Sequence, residues 1–203
     1  MLTLVLLLIF LIVAAAMWAQ GLWNSVVTLI NLLLAMMLAF NYFEPLANLA
    51  EKQQPSYGYL ADFAALWILF VVSFGLLRMM TDILSRKRVA FDFWTETVGR
   101  SVLALFVAWL FVGFVCATLH TAPLGPHPLG FQETPTSGNF LGMSPGRQWL
   151  AFMQSRSRGA LSRYDEPQQP LPEDENRKVR IFDPESRFIL KYYQRRKNLE
   201  SEP

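Results

Sequence analysis

Apolar positions dominate the first 119 residues in long uninterrupted blocks, and polar positions take over after Arg147. Four blocks stand out: residues 2–19 (LTLVLLLIFLIVAAAMWA), residues 22–43, roughly residues 60–80 and roughly residues 101–119. Each has the length, about 20 mostly apolar residues, that a helix needs to cross a bilayer's hydrocarbon core. Backbone groups in lipid must satisfy one another, so each block predicts a helix rather than an isolated strand. Only Gln20 and Gly21 separate the first two blocks, which predicts a tight helical hairpin. The first block has no Lys or Arg before it and exceeds the apolar core of a cleaved leader, so it is expected to stay as a span.

The pattern changes past the fourth block. Residues 121–143 are rich in Pro and Gly and predict an extended or disordered linker. Residues 144–163 open with Ser144 as a candidate N-cap and Pro145 in the first helical position. Trp149, Leu150, Phe152 and Met153 form one apolar face there, flanked by Arg147, Arg156 and Arg158. That pattern suits a helix lying on a membrane surface, and a helix packed on a partner equally well. Residues 164–203 form a charged tail, in which Asp183 and Pro184 predict the start of a short terminal helix. The fold class expected is all-α: a polytopic membrane protein with four transmembrane helices over residues 1–120 and a partly disordered C-terminal tail carrying short amphipathic helices.

Composition agrees, with 53% hydrophobic residues, 17% charged residues and a mean hydropathy of +0.26. The net charge of +2 is too small for nucleic-acid binding through a basic field. One cysteine, Cys116, excludes an intrachain disulfide. His120 and His127 flank a Pro/Gly-rich stretch just past the fourth block, without acidic or Cys residues at metal-ligand spacing, and both are expected in exposed chain. No phosphate loop, GxSxG or HExxH occurs. No enzyme activity, metal or cofactor is expected.

Polar residues inside the spans are the candidate functional positions. Asn24, Thr28 and Asn31 fall at i, i+4 and i+7 of the second helix and share a face suited to helix packing or a polar path. Arg78 lies near the end of the third helix with Asp82 four residues on. Arg78 reads either as an interfacial anchor paired within its helix, or as a charge facing a polar cavity. Arg86, Lys87 and Arg88 follow, whereas Lys52 is the only base between the second and third helices. Short basic loops face the cytoplasm, so both termini are expected on the opposite side.

The first 119 residues resemble the CvpA family, bacterial inner-membrane proteins named for colicin V production. The resemblance rests on the near-uncharged first helix, the turn AQGLWNS, the third helix ending in bases, and TETVGRSVLALFVAWLFVGF, with Glu96 and Gly99 before the fourth span. It implies a multi-pass protein of the bacterial inner membrane, associated with toxin production or export and envelope homeostasis. Two readings follow: a non-enzymatic accessory or scaffold protein, and a small transporter or channel subunit working as an oligomer. Expected partners are the bilayer, an envelope protein reached through the tail, and further copies of the chain. Polar residues facing one another through the interior would favour transport, and polar residues confined to the membrane ends would favour a scaffold.

Overall fold

A computed structural model describes residues 2–53, 58–84, 91–122, 140–158, 173 and 181–201. Six helices make up the described fold: α1 (Leu2–Gln20), α2 (Leu22–Gln53), α3 (Gly58–Leu84), α4 (Phe93–Leu119), α5 (Pro145–Arg156) and α6 (Phe188–Ser201). The first four are long and apolar enough to cross a membrane. Three of them extend past the apolar blocks that announced them. α2 runs ten residues beyond Phe43, straight through Pro45. Charged residues there have left the span but still form helix, so the hydropathy boundary and the helix boundary differ.

Gly21 alone joins α1 to α2. Its φ of +82° is the left-handed conformation that only glycine adopts without strain. Four spans then pack in the cross-sectional order α1, α4, α2, α3: α1 lies along α4, α2 lies along α3, and α2 meets α4 between them. Apolar side chains of α1 and α3 remain broadly exposed, among them Leu8, Ile12, Val72 and Leu76, as lipid-facing positions require. Small residues bring the central helices together, with Ala35 and Ala39 of α2 and Ala104 and Ala108 of α4 all buried. Such close backbone approach is what holds helices in lipid, where no hydrophobic effect separates helix from solvent.

Two ends of the bundle serve as landmarks. The turn end holds Gly21, the end of α3 and the start of α4. The tail end holds the close of α2, the start of α3 and the docked C-terminal helices. Arg86, Lys87, Arg88 and His127 lie outside the described residues.

α5 does not lie on a surface. Trp149, Leu150 and Met153 are buried against the bundle, and of the four apolar residues expected to face a membrane surface only Phe152 is exposed. The physical reason is a crossing of two glycines. A Cβ on Gly113 of α4 would stand 3.0 Å from the Pro145 carbonyl oxygen, and one on Gly146 of α5 would stand 3.1 Å from the Ala117 nitrogen. Without side chains there, α5 settles directly on α4. The Trp109 indole donates to Gln148 Oε1 at 3.1 Å. Trp109 stands ten residues before Leu119, the end of α4, which is about 15 Å along the helix. α5 therefore runs beside the apolar stretch of α4, not beyond it.

The chain enters α5 through a tight turn. Phe140 and Met143 exchange both backbone hydrogen bonds, at 3.1 and 2.8 Å. Leu141 and Gly142 between them have φ of 49° and 72°. Both being positive, the turn resembles the type I′ class. Phe140 is buried beside Phe10 and Trp109. Non-helical backbone so near the spans is satisfied internally, as a low-dielectric setting demands. His120 is also buried, at 4% exposure, against its expected place in open chain.

Candidate functional site

At the turn end, polar side chains link three helices. Glu96, in the first turn of α4, accepts a hydrogen bond from the Leu22 amide at 2.8 Å. That amide opens α2, where the helix dipole favours an anion. Gly99, one turn on, leaves room for the Leu22 side chain. Ser25 donates to the Met17 carbonyl at 2.9 Å and further fixes the hairpin.

Arg78 reaches from α3 to α2. Its Nε pairs with Asp82 at 3.1 Å, and its Nη1 donates to Thr28 Oγ1 at 2.8 Å. Thr28 in turn donates to Gln20 Oε1 at 3.3 Å. Asn31 donates to Thr81 Oγ1 at 2.8 Å, and Thr81 donates to the Arg78 carbonyl. The intrahelical pair is present, and the guanidinium also bonds across helices. Thr28, Asn31, Arg78 and Asp82 thus belong to one network, whereas Asn24 is half-buried and takes no part in it. The sequence did not single out Gln20 or Thr81. Both fall where helical spacing meets the network only after α1, α2 and α3 are placed together.

Another polar group lies at the tail end, built on acids that the sequence analysis did not single out. Asp62 sits in α3, not in a loop, and its side chain is 13% exposed. It accepts a hydrogen bond from Arg195 of α6. Glu44 of α2 accepts from Lys191 Nζ at 3.1 Å. Tyr192 lies buried between these pairs. Burial, then the negative charges of Asp62 and Glu44, push its phenol well above the ordinary tyrosine range, against a smaller opposing effect of Arg195.

Beneath these charges lies an aromatic floor. Phe40 of α2 has Phe43, Phe114, Trp149, Phe182 and Phe188 around it, with ring centroids between 5.7 and 6.2 Å away. α6 is aimed onto this floor by the turn that precedes it. Gln154 of α5 donates to the Asp183 carbonyl at 2.7 Å, and the Phe182 amide donates to Ser157 Oγ at 2.9 Å. Asp183 caps the helix as its sequence suggested, accepting from the Arg187 and Phe188 amides. Pro184 does not begin the helix, because the turn occupies residues 183–187 and α6 starts at Phe188.

The two polar ends stay apart. No Asp, Glu, Lys, Arg, His, Asn or Gln lies between Asn31 and Asn41 of α2, between Asp62 and Arg78 of α3, or between Arg100 and His120 of α4. α1 carries none before Gln20. An apolar waist containing Met36, Leu66, Phe70, Val107 and Phe114, all buried, fills that interval. Among the described residues no group of His, Cys, Asp and Glu has the arrangement to hold a metal ion.

A comparison with known families bears on the same region. One family profile, described as colicin V production protein, matches residues 2–144. The chain belongs to the colicin V production protein family. The match ends at Ser144, 25 residues past Leu119, so the colicin V production region takes in the Phe140–Met143 turn and stops where α5 begins. No curated protein and no solved structure matches the chain.

Proposed function

We propose that this colicin V production family protein is a non-enzymatic accessory or scaffold protein of the bacterial inner membrane, acting in toxin production or export and envelope homeostasis. In this reading the turn end faces the cytoplasm, and both termini and the docked tail face away from it. The apolar waist carries the reading. Polar side chains of the four spans gather at the two ends of the bundle, so among the described residues the interior of a single copy offers no polar route across the membrane. A protein built this way works through its surfaces. Moving one charge through such a waist would mean stripping its water without replacement, at a cost of several kcal/mol or more.

The test has two arms. Purified full-length protein in liposomes should give no ion or proton flux above protein-free vesicles. In native membranes, a photo-crosslinker in place of the exposed Leu190 should give discrete higher-mass products containing another envelope protein. Flux that scales with protein content would establish the transport reading, in which an oligomer supplies the polar path between copies. Absence of any crosslinked product alongside unaltered toxin release in a deletion strain would also overturn the accessory role.

A further inference from the structure

α6 is bound like a ligand. Of its side chains, Phe188 and Tyr192 are buried, while Leu190, Lys191, Tyr193 and Gln194 stay exposed. Phe188 enters the aromatic floor beside Phe40 and Phe43. Lys191 and Arg195 reach the two carboxylates on its rim. The inward-facing residues Phe188, Tyr192 and Arg195 follow at i, i+4 and i+7, the spacing by which an amphipathic helix enters a groove. The recess itself belongs to other elements: Phe40, Phe43 and Glu44 of α2, Asp62 of α3, and Trp149 of α5. Among its described side chains, Phe188 and Tyr192 are the buried ones. A terminal helix seated through them opens more readily than the bundle beneath it.

We propose that the tail-end recess is a docking site for an amphipathic helix of a membrane-anchored partner, and that α6 is its resident occupant and competitor. The recess states what such a partner carries. It needs an aromatic residue for the floor, a second aromatic residue one turn on, and a cation at the next turn for Asp62. A carboxylate as buried as Asp62 is costly to leave unpaired, so a helix without that cation is rejected. The partner is itself membrane-anchored because α6 is tethered, and a freely diffusing competitor matches a tethered occupant only at roughly millimolar concentration, or where α6 has been weakened. The proposal rests on the accessory reading and names the kind of surface through which it works.

The test uses the full chain as Cys116→Ala/Glu44→Cys/Lys191→Cys in nanodiscs. A bis-maleimide long enough to span the Glu44–Lys191 side-chain pair locks α6 in place, and without it α6 is loosened by loss of that pair. The probe is a fluorescent peptide with the sequence of residues 181–201. Saturable binding to the uncrosslinked protein and none to the crosslinked protein is the expected result. Peptides carrying Phe188→Ala or Arg195→Gln should bind roughly tenfold or more weakly, the factor that a lost aromatic anchor or a lost bond to a buried carboxylate carries. Equal binding to both forms, or equal binding of the Arg195→Gln peptide, would mean simple partition into lipid and would overturn the proposal. Failure of the bis-maleimide to crosslink the two cysteines would overturn the placement of α6 on Glu44. Normal peptide binding together with ion flux in the liposome assay would remove the accessory role and leave the docking site standing.

Discussion

Arg78 uses its planar fork in two directions, toward Asp82 in its own helix and toward Thr28 in the next. Lysine has one charge point and cannot hold both partners in that geometry. Arg78→Lys is therefore expected to insert normally and to loosen α3 from α2. Thr28→Val removes the same bond from the other side. Unfolding in detergent should show the two changes to be coupled, with about 0.5–1.5 kcal/mol of non-additivity for the shared hydrogen bond. Strictly additive effects would reduce Arg78 to an anchor at the membrane edge. Tyr192 makes a prediction of a different kind. Its pKa in the docked state lies above the ordinary value of about 10, so its contribution to docking is complete below that pH and is lost as pH rises. Docking should weaken up to about tenfold per pH unit above 10. A spin label replacing Leu190 in a Cys116→Ala background should become mobile over that range, and the added change Tyr192→Phe should abolish the dependence. Sequence alone found Asn31, Arg78 and Asp82 because charged or amide side chains are conspicuous in apolar helices, and Thr28 because it falls on the same helical face as Asn24 and Asn31. It undervalued Asp62 and Glu44, because an acid at the margin of a span looks the same whether water or another helix covers it.

Among the elements, α5 depends on the crossing of Gly113 and Gly146. Gly146→Val puts carbon where the Ala117 backbone nitrogen and Cys116 Cβ already stand at 3.1 Å from a bare Cβ. Overpacking of that kind costs about 1–3 kcal/mol. The substitution should lift α5 from α4, and in a Cys116→Ala background a cysteine replacing the buried Met153 should change from unreactive to reactive toward a maleimide. Gly75 is the internal control. Nothing lies within 4 Å of its Cβ position, so Gly75→Ala should be neutral or should stabilise α3 by about 0.5–1 kcal/mol. Reactivity at Met153→Cys that ignored Gly146→Val would show that other contacts hold α5. The four spans were legible because hydropathy over 20 residues is a strong signal. The seat of α5 was not. An amphipathic face states that something apolar covers it, and lipid, a partner and the chain's own bundle satisfy that equally. Deciding among them required Gly113 to meet Pro145 and Gly146 to meet Cys116 and Ala117 in space, which no local periodicity encodes.

At the scale of the whole molecule, the proposed orientation places the loop after α3 in the cytoplasm and the C-terminus outside. A reporter active only outside the cytoplasm should work when fused after Pro203 and stay silent when fused at Val89. The opposite result would invert the arrangement while leaving the packing intact, since every contact described is indifferent to which side is which. The packing order also has a consequence in time. Phe40 is made early, within the second span, but Phe182 and Phe188, which close the ring around it, follow only after all four spans. Until the ribosome has released them, Phe40 and Asp62 wait uncovered at the tail end. A chain stopped short of Phe182 has four spans in place and still displays an unfinished recess. A membrane protease that recognises such a recess would thus distinguish full-length chains from interrupted ones by inspecting a residue completed long before the interruption.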